Sequence, residues 1–151
     1  MKNLIRTLLL TLTTATASIA HAADGPQKTV QTFYETFING ETNKTAALVY
    51  LPPEAVQKGV TTDTVRVEID KLLQEIRAEM AEKGSSVVSI TTGEIEYTNA
   101  ARTEVKVSVI RIMRDKDGDT DEEYETIALI KTDGGWKVQP KNVSERLIEG
   151  P

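Results

Sequence analysis

The feature that most constrains the fold is a change in hydrophobic period near Gly84. Before it, apolar residues recur at spacings of three and four, as on one face of an α-helix. After it, they alternate with polar residues, as in a β-strand with one buried face. Helices followed by strands predict an α+β domain in which the helices pack on one face of an antiparallel sheet. Since we find no internal repeat or linker, we expect a single domain over residues 23–151.

Three helices are predicted in the first part of the chain. The first follows the Asp-Gly-Pro stretch and ends at Gly40, and its apolar stripe is rich in aromatic side chains. The second is short, is capped by Thr42 and ends at Pro52 and Pro53. The third covers residues 62–83 and ends at the glycine that follows. The stripe of the first helix contains Val30, Phe33, Tyr34, Phe37 and Ile38.

Four strands are predicted after the helices. The segments are "SVVSITTGEIEYT", "TEVKVSVIRIMR", "EYETIALIKT" and "GWKVQP". In the first, the apolar phase slips by one residue near Gly93, which predicts a β-bulge and a bend. Connected in order by short turns, these strands form a curved meander that wraps around the helices.

The first 22 residues have the pattern of a cleaved export signal. Lys2 and Arg6 precede an uncharged apolar run over residues 8–20, and the small-x-small sequence "AHA" ends at Ala22. The run is too short for a membrane-spanning helix. Because the sequence contains no cysteine, there is no disulfide and no residue for lipid attachment. We therefore expect a periplasmic or secreted bacterial protein that does not insert in a membrane after cleavage.

Cleavage would also remove the one histidine, His21. A mature chain without His or Cys cannot form a Ser-His-Asp or Cys-His catalytic site or the usual zinc sites. It would keep 16 basic and 23 acidic residues, a net charge of −7, which argues against nucleic acid as a partner. We predict no catalytic residue and no cofactor.

An acidic stretch, "MRDKDGDTDEE", has the alternating aspartates of a calcium loop. Counted from Asp115, however, Gly118 falls at the fourth position instead of the sixth, and Thr126 stands where a bidentate glutamate is needed. We interpret the stretch as a solvated hairpin turn, with no metal site. Weak calcium binding is the alternative, with the candidate ligands Asp115, Asp117, Asp119 and Asp121.

The order of three helices and a curved meander, with the ending "ALIKTDGGWKV", resembles the nuclear transport factor two-like (cystatin-like cone) superfamily. Within it the chain is similar to the small exported domain-of-unknown-function branch. The resemblance implies a cone-shaped α+β fold whose sheet and first helix enclose a pocket, and a homodimer formed through the outer face of the sheet. Its members range from isomerases and dehydratases to binding modules, so the fold alone does not decide function.

The aromatic residues are the candidate ligand-binding residues. Tyr34 lies at the edge of the stripe of the first helix, and Tyr97 or Trp136 from the sheet could form the opposite wall of an apolar pocket. Such a pocket would suit a small neutral or weakly cationic ligand. The alternative is that these side chains fill the cone completely and leave no cavity.

Two function classes follow from this pattern. Because the core positions are apolar and we identify no acid that must point inward, we expect a non-catalytic binding or interaction module for a small apolar ligand or a protein partner. The alternative is a small-molecule isomerase, dehydratase or hydrolase of the cone superfamily, which the resemblance implies would use a carboxylate base with a tyrosine.

Overall fold

The computed structural model describes residues 25–141, together with residues 143, 145 and 147. The predicted export signal lies outside this range. In chain order the helices are α1 (Pro26–Ile38), α2 (Thr42–Ala47), α3 (Pro53–Gln57) and α4 (Thr62–Lys83), and the strands are β1 (Ser86–Tyr97), β2 (Glu104–Arg114), β3 (Thr120–Thr132) and β4 (Gly135–Gln139). Beyond β4, the described residues 141, 143, 145 and 147 are helical. Among the described helices, none is long and apolar enough to cross a membrane.

The four strands form one antiparallel sheet in the order β1-β2-β3-β4. The α+β architecture and the meander predicted from the sequence are therefore confirmed. The face of the sheet that is turned toward the helices is called the inner face. It carries the buried residues Val105, Val107, Val109, Ile127, Leu129 and Val138, which pack with α1, α2 and α4 in one core.

The bend in β1 comes from two irregularities in its pairing with β2. One lies between Thr92 and Ile95, at the predicted slip near Gly93. The other, near Val88, was not predicted. Each places an extra residue in β1 opposite β2, which increases the local twist and curls the strand toward the helices.

The second predicted helix is shorter than expected. α2 ends at Ala47, and the chain then runs beside β4, where the backbone N–H of Tyr50 donates to the carbonyl of Val138 at 2.8 Å. The prolines after it also begin a helix, α3, with Pro53 in its first turn. The prolines were expected only to end the preceding helix, whereas proline also fits the first helical turn because its missing N–H needs no partner there.

The predicted ends of α4 are confirmed. Thr61 and Thr64 form a reciprocal capping box at its start, and Gly84 ends it in the left-handed conformation with φ 62°. A Cβ on Gly84 would lie 2.9 Å from the Cβ of Lys116. The turn between β2 and β3 therefore packs closely against the end of α4, which places this helix along the inner face.

Candidate ligand-binding site

A cavity of about 350 Å³ lies between α1, α4 and the inner face of the sheet. The apolar wall is formed by Phe33, Phe37, Leu72, Ile76 and Ile127. The aromatic side chains therefore do not fill the cone completely, in contrast to the alternative drawn from the sequence.

Two aromatic rings from α1 form one side of this cavity. Phe33 is buried and Phe37 is half-buried, and their rings stack at 6.3 Å between centroids. Their spacing of four residues places them one turn apart on the same line of the helix. They form a continuous apolar surface over the inner face.

Charged side chains enter the cavity from the two central strands. Arg111 follows Val109 on the same face of β2, and Glu125 precedes Ile127 on the same face of β3. Because alternate residues of a strand share a face, the apolar stripe of the inner face continues directly into an arginine and a glutamate. Neither residue was predicted from the sequence as part of a site. The strand phase was the signal that could have found them.

These side chains form a connected Tyr34–Glu125–Arg111 cluster. The hydroxyl of Tyr34 donates to Oε1 of Glu125 at 2.6 Å. The other carboxylate oxygen, Oε2, lies 3.0 Å from Nη2 of Arg111. The same nitrogen lies 3.4 Å from Oε2 of Glu123. The cluster joins α1 to the central strands at the polar end of the cavity.

Tyr34 acts in this cluster as a hydrogen-bond donor. Burial raises the pKa of its hydroxyl well above the usual value of 10.0, and the hydrogen bond and negative charge of Glu125 raise it further, while Arg111 opposes the effect. The hydroxyl therefore stays protonated at any physiological pH.

Arg111 retains a buried donor. Its Nε has no hydrogen-bond partner among the described residues, although Nη2 contacts two glutamates. A buried donor that is left without a partner costs about 1–3 kcal/mol, so proteins rarely keep one without a reason.

The structure does not bring the other two predicted aromatics to this cavity. The rings of Tyr97 and Trp136 are 6.5 Å apart, with the guanidinium of Arg102 over the first at 4.2 Å and the ammonium of Lys131 at 5.9 Å from the second. Neither ring lines the cavity beside Tyr34. In this cavity the wall opposite α1 contains strand residues such as Arg111 and Ile127.

The acidic stretch forms the predicted hairpin turn. Oδ1 of Asp115 accepts hydrogen bonds of 2.9 Å from the backbone N–H groups of Asp117 and Asp119, and Gly118 takes the positive φ of 88° that the turn requires. Within the part of the chain that the structure describes, no group of three or more His, Cys, Asp or Glu residues could hold a metal ion.

No protein-family model and no curated protein sequence matches this chain. Among solved structures, it is similar to a Campylobacter jejuni protein proposed to be an NTF2-like transpeptidase, with 18% identity, a TM-score of 0.54, and 78% of this chain and 99% of that chain covered. A proposed dehydratase of the NTF2-like family from Streptomyces avermitilis matches with 14% identity and a TM-score of 0.42, over 73% of this chain and 85% of that one. The intermembrane space region of the chloroplast protein ARC6 matches with 12% identity and a TM-score of 0.36, over 76% of this chain and 92% of that one.

The first of these structures supports the resemblance seen in the sequence. The match covers 99% of that chain at a TM-score of 0.54, so the two proteins share their overall architecture. At this level of identity the likeness establishes architecture and leaves function open. The protein therefore has the fold of the nuclear transport factor two-like (NTF2-like) superfamily.

Proposed function

We propose that the protein is a non-catalytic binding module that holds a small, mostly apolar molecule in the cavity between α1, α4 and the sheet. The observation that carries the proposal is an apolar cavity of about 350 Å³ with one polar cluster at its end. Sites for small molecules commonly have this composition, with apolar walls for affinity and a few polar groups for orientation.

The state of the polar cluster favours binding over catalysis. Both oxygens of Glu125 are engaged, one by Tyr34 and the other by Arg111. A general base needs a free lone pair that the substrate proton can reach, and one of the two lone pairs on each Glu125 oxygen is already occupied. A general acid, as the second role, must release its proton near the working pH. Tyr34 holds its proton too strongly for the second role, because burial raises its pKa.

The charges around the cluster favour a neutral or weakly cationic ligand. Arg111 lies within 3.4 Å of carboxylate oxygens from both Glu123 and Glu125, so its positive charge is already balanced. An anionic ligand placed there would be repelled by two carboxylates. Lys141 lines the cavity mouth, but its side chain is 85% exposed, so water screens its charge.

Thermal-shift screening of a metabolite set tests the proposal. A ligand of this cavity should stabilise the wild type, lose most of its effect in Leu72→Trp, which fills the cavity, and lose part of it in Tyr34→Phe. Tyr124→Phe is the matched control, because Tyr124 is 71% exposed and lies outside the cavity. Ligands whose effect is the same in all four proteins would contradict the proposed site.

A carboxylate-dependent isomerase or dehydratase is the second candidate. The 2.6 Å contact between the Tyr34 hydroxyl and Glu125 supports it, because such a pair on an apolar wall could serve as donor and base once a substrate displaces Arg111. Incubation of a captured ligand in deuterated water decides between the two candidates. Deuterium incorporation that is lost in Glu125→Gln would establish catalysis, and no incorporation would support simple binding.

We also propose that the module acts outside the cytoplasm. The support is the basic start, the apolar run and the "AHA" sequence of residues 1–22. N-terminal sequencing of periplasmic material should find a chain that begins at Ala23. Recovery of the intact Met1 form from membranes would contradict this location.

A further inference from the structure

A second cavity, of about 360 Å³, lies beside the first. Its apolar wall is formed by Ile76, Met80, Val87 and Met113, and charged side chains from α4 and the ends of β2 and β3 surround it. The two cavities share two residues, Ile76 of α4 and Arg111 of β2. They therefore meet at a junction between one helix side chain and one strand side chain.

The two cavities are arranged along one line. α4 contributes Leu72 to the first cavity and Lys83 to the second, while β3 contributes Ile127 to the first and Asp121 to the second. α4 and β3 therefore run in opposite directions on the two sides of the same groove. Six residues of extended strand span about 20 Å, which is the approximate length of the combined space.

The junction carries the buried, unpartnered Nε of Arg111. This donor lies on the side chain that both cavities share, and the guanidinium has to turn for it to meet an oxygen atom between them. A carbonyl oxygen would satisfy it. A carboxylate would be repelled by Glu123 and Glu125, which hold the other side of the guanidinium.

We propose that the two cavities form one elongated site for a neutral amide or ester with an apolar arm on each side of its carbonyl group. The acyl arm lies in the first cavity, against Phe37 and Leu72. The carbonyl oxygen accepts a hydrogen bond from Arg111, and the second arm lies against Met80 and Val87. This inference rests on the proposed function and specifies the chemical class of the ligand.

Calorimetry with a small set of probes tests this arrangement on the mature protein. N-butylhexanamide carries both arms, hexanamide carries the acyl arm alone, and hexanoate replaces the amide with a carboxylate. The added butyl arm should strengthen binding about tenfold or more, because each methylene group that is buried contributes about 0.8 kcal/mol. Hexanoate should bind more weakly than hexanamide.

Two variants assign the arms to the cavities. Val87→Trp fills the second cavity, so N-butylhexanamide should then bind no better than hexanamide. Val88→Trp is the matched control, because Val88 is the neighbouring residue, is exposed and lines neither cavity. Leu72→Trp should abolish binding of both amides. Far-ultraviolet circular dichroism confirms that each variant is folded.

Several outcomes would overturn the elongated site. The first is that the two amides bind the wild type with equal affinity, and the second is that the butyl arm still improves binding in Val87→Trp. The others are that hexanoate binds more tightly than hexanamide, or that neither amide binds measurably. The proposed function fails separately, in the metabolite screen, if no ligand depends on Leu72 and Tyr34.

Discussion

The hydroxyl of Tyr34 donates a 2.6 Å hydrogen bond to Glu125, which lies 91 residues further along the chain. This contact joins α1 to the centre of the sheet at the polar end of the cavity. Because the acceptor is a charged carboxylate in a partly buried place, the bond should contribute to stability as well as to the shape of the site.

Tyr34→Phe should lower the free energy of unfolding by about 1–3 kcal/mol, since it removes a hydrogen bond to a charged group and leaves that group with one partner fewer. Urea denaturation followed by circular dichroism measures the change. The control is Tyr124→Phe, whose hydroxyl contacts Glu122 in an exposed position and should change stability by less than about 0.5 kcal/mol. An equal loss of unfolding free energy in the two variants would show that the Tyr34 hydrogen bond contributes no more to stability than the exposed one.

The contribution of Tyr34 to stability should disappear at high pH. Its folded-state pKa is raised above the unfolded value near 10.0, mainly by burial, so the folded state retains a proton that the unfolded state releases. The stability contribution is therefore constant below about pH 10 and falls as the pH rises above that value. Stability profiles of the wild type and Tyr34→Phe should converge in this range. Parallel profiles would contradict the raised pKa.

Gly84→Ala should destabilise the protein more than Gly59→Ala. Both glycines have a positive φ, 62° at Gly84 and 86° at Gly59. An alanine in this conformation costs about 1 kcal/mol at either position. At Gly84 the new Cβ would also lie 2.9 Å from the Cβ of Lys116, whereas nothing lies within 4 Å of it at Gly59. Thermal unfolding of both variants measures the difference, which reports how tightly the β2–β3 turn packs on the end of α4. No difference would mean that the turn moves away freely.

We further propose a homodimer through the outer face of the sheet, opposite the helices. Ile110 and Tyr124 are cross-strand partners there, next to Ile112, and Tyr124 is 71% exposed. Light scattering at micromolar concentration should give the mass of a dimer, and Ile112→Lys should give a monomer because it places a charge in the apolar contact. Val56→Lys is the control, since Val56 is exposed but lies on α3. A wild-type monomer would end the proposal.

The sequence alone determined the order and type of the main elements. α4 was expected over about residues 62–83 and is found at Thr62–Lys83, because its apolar stripe ends next to a glycine that can take a positive φ. The bulge near Gly93 was visible for the same reason, as a shift of phase within one strand. The missed helix α3 shows the limit of local rules, since proline can end one helix and begin the next.

Only the tertiary structure decided where the site lies. Glu125 belongs by sequence to a run of acidic residues at a hairpin, and its inward direction follows from its pairing in register with β2. Tyr97 and Trp136 looked equally suited to the pocket, but strand order places them beside each other, and neither lines the cavity that Tyr34 borders. The cavity itself is lined by side chains from α1, α4 and the central strands. Such an arrangement depends on contacts between residues far apart in the chain, which no periodicity within one segment encodes.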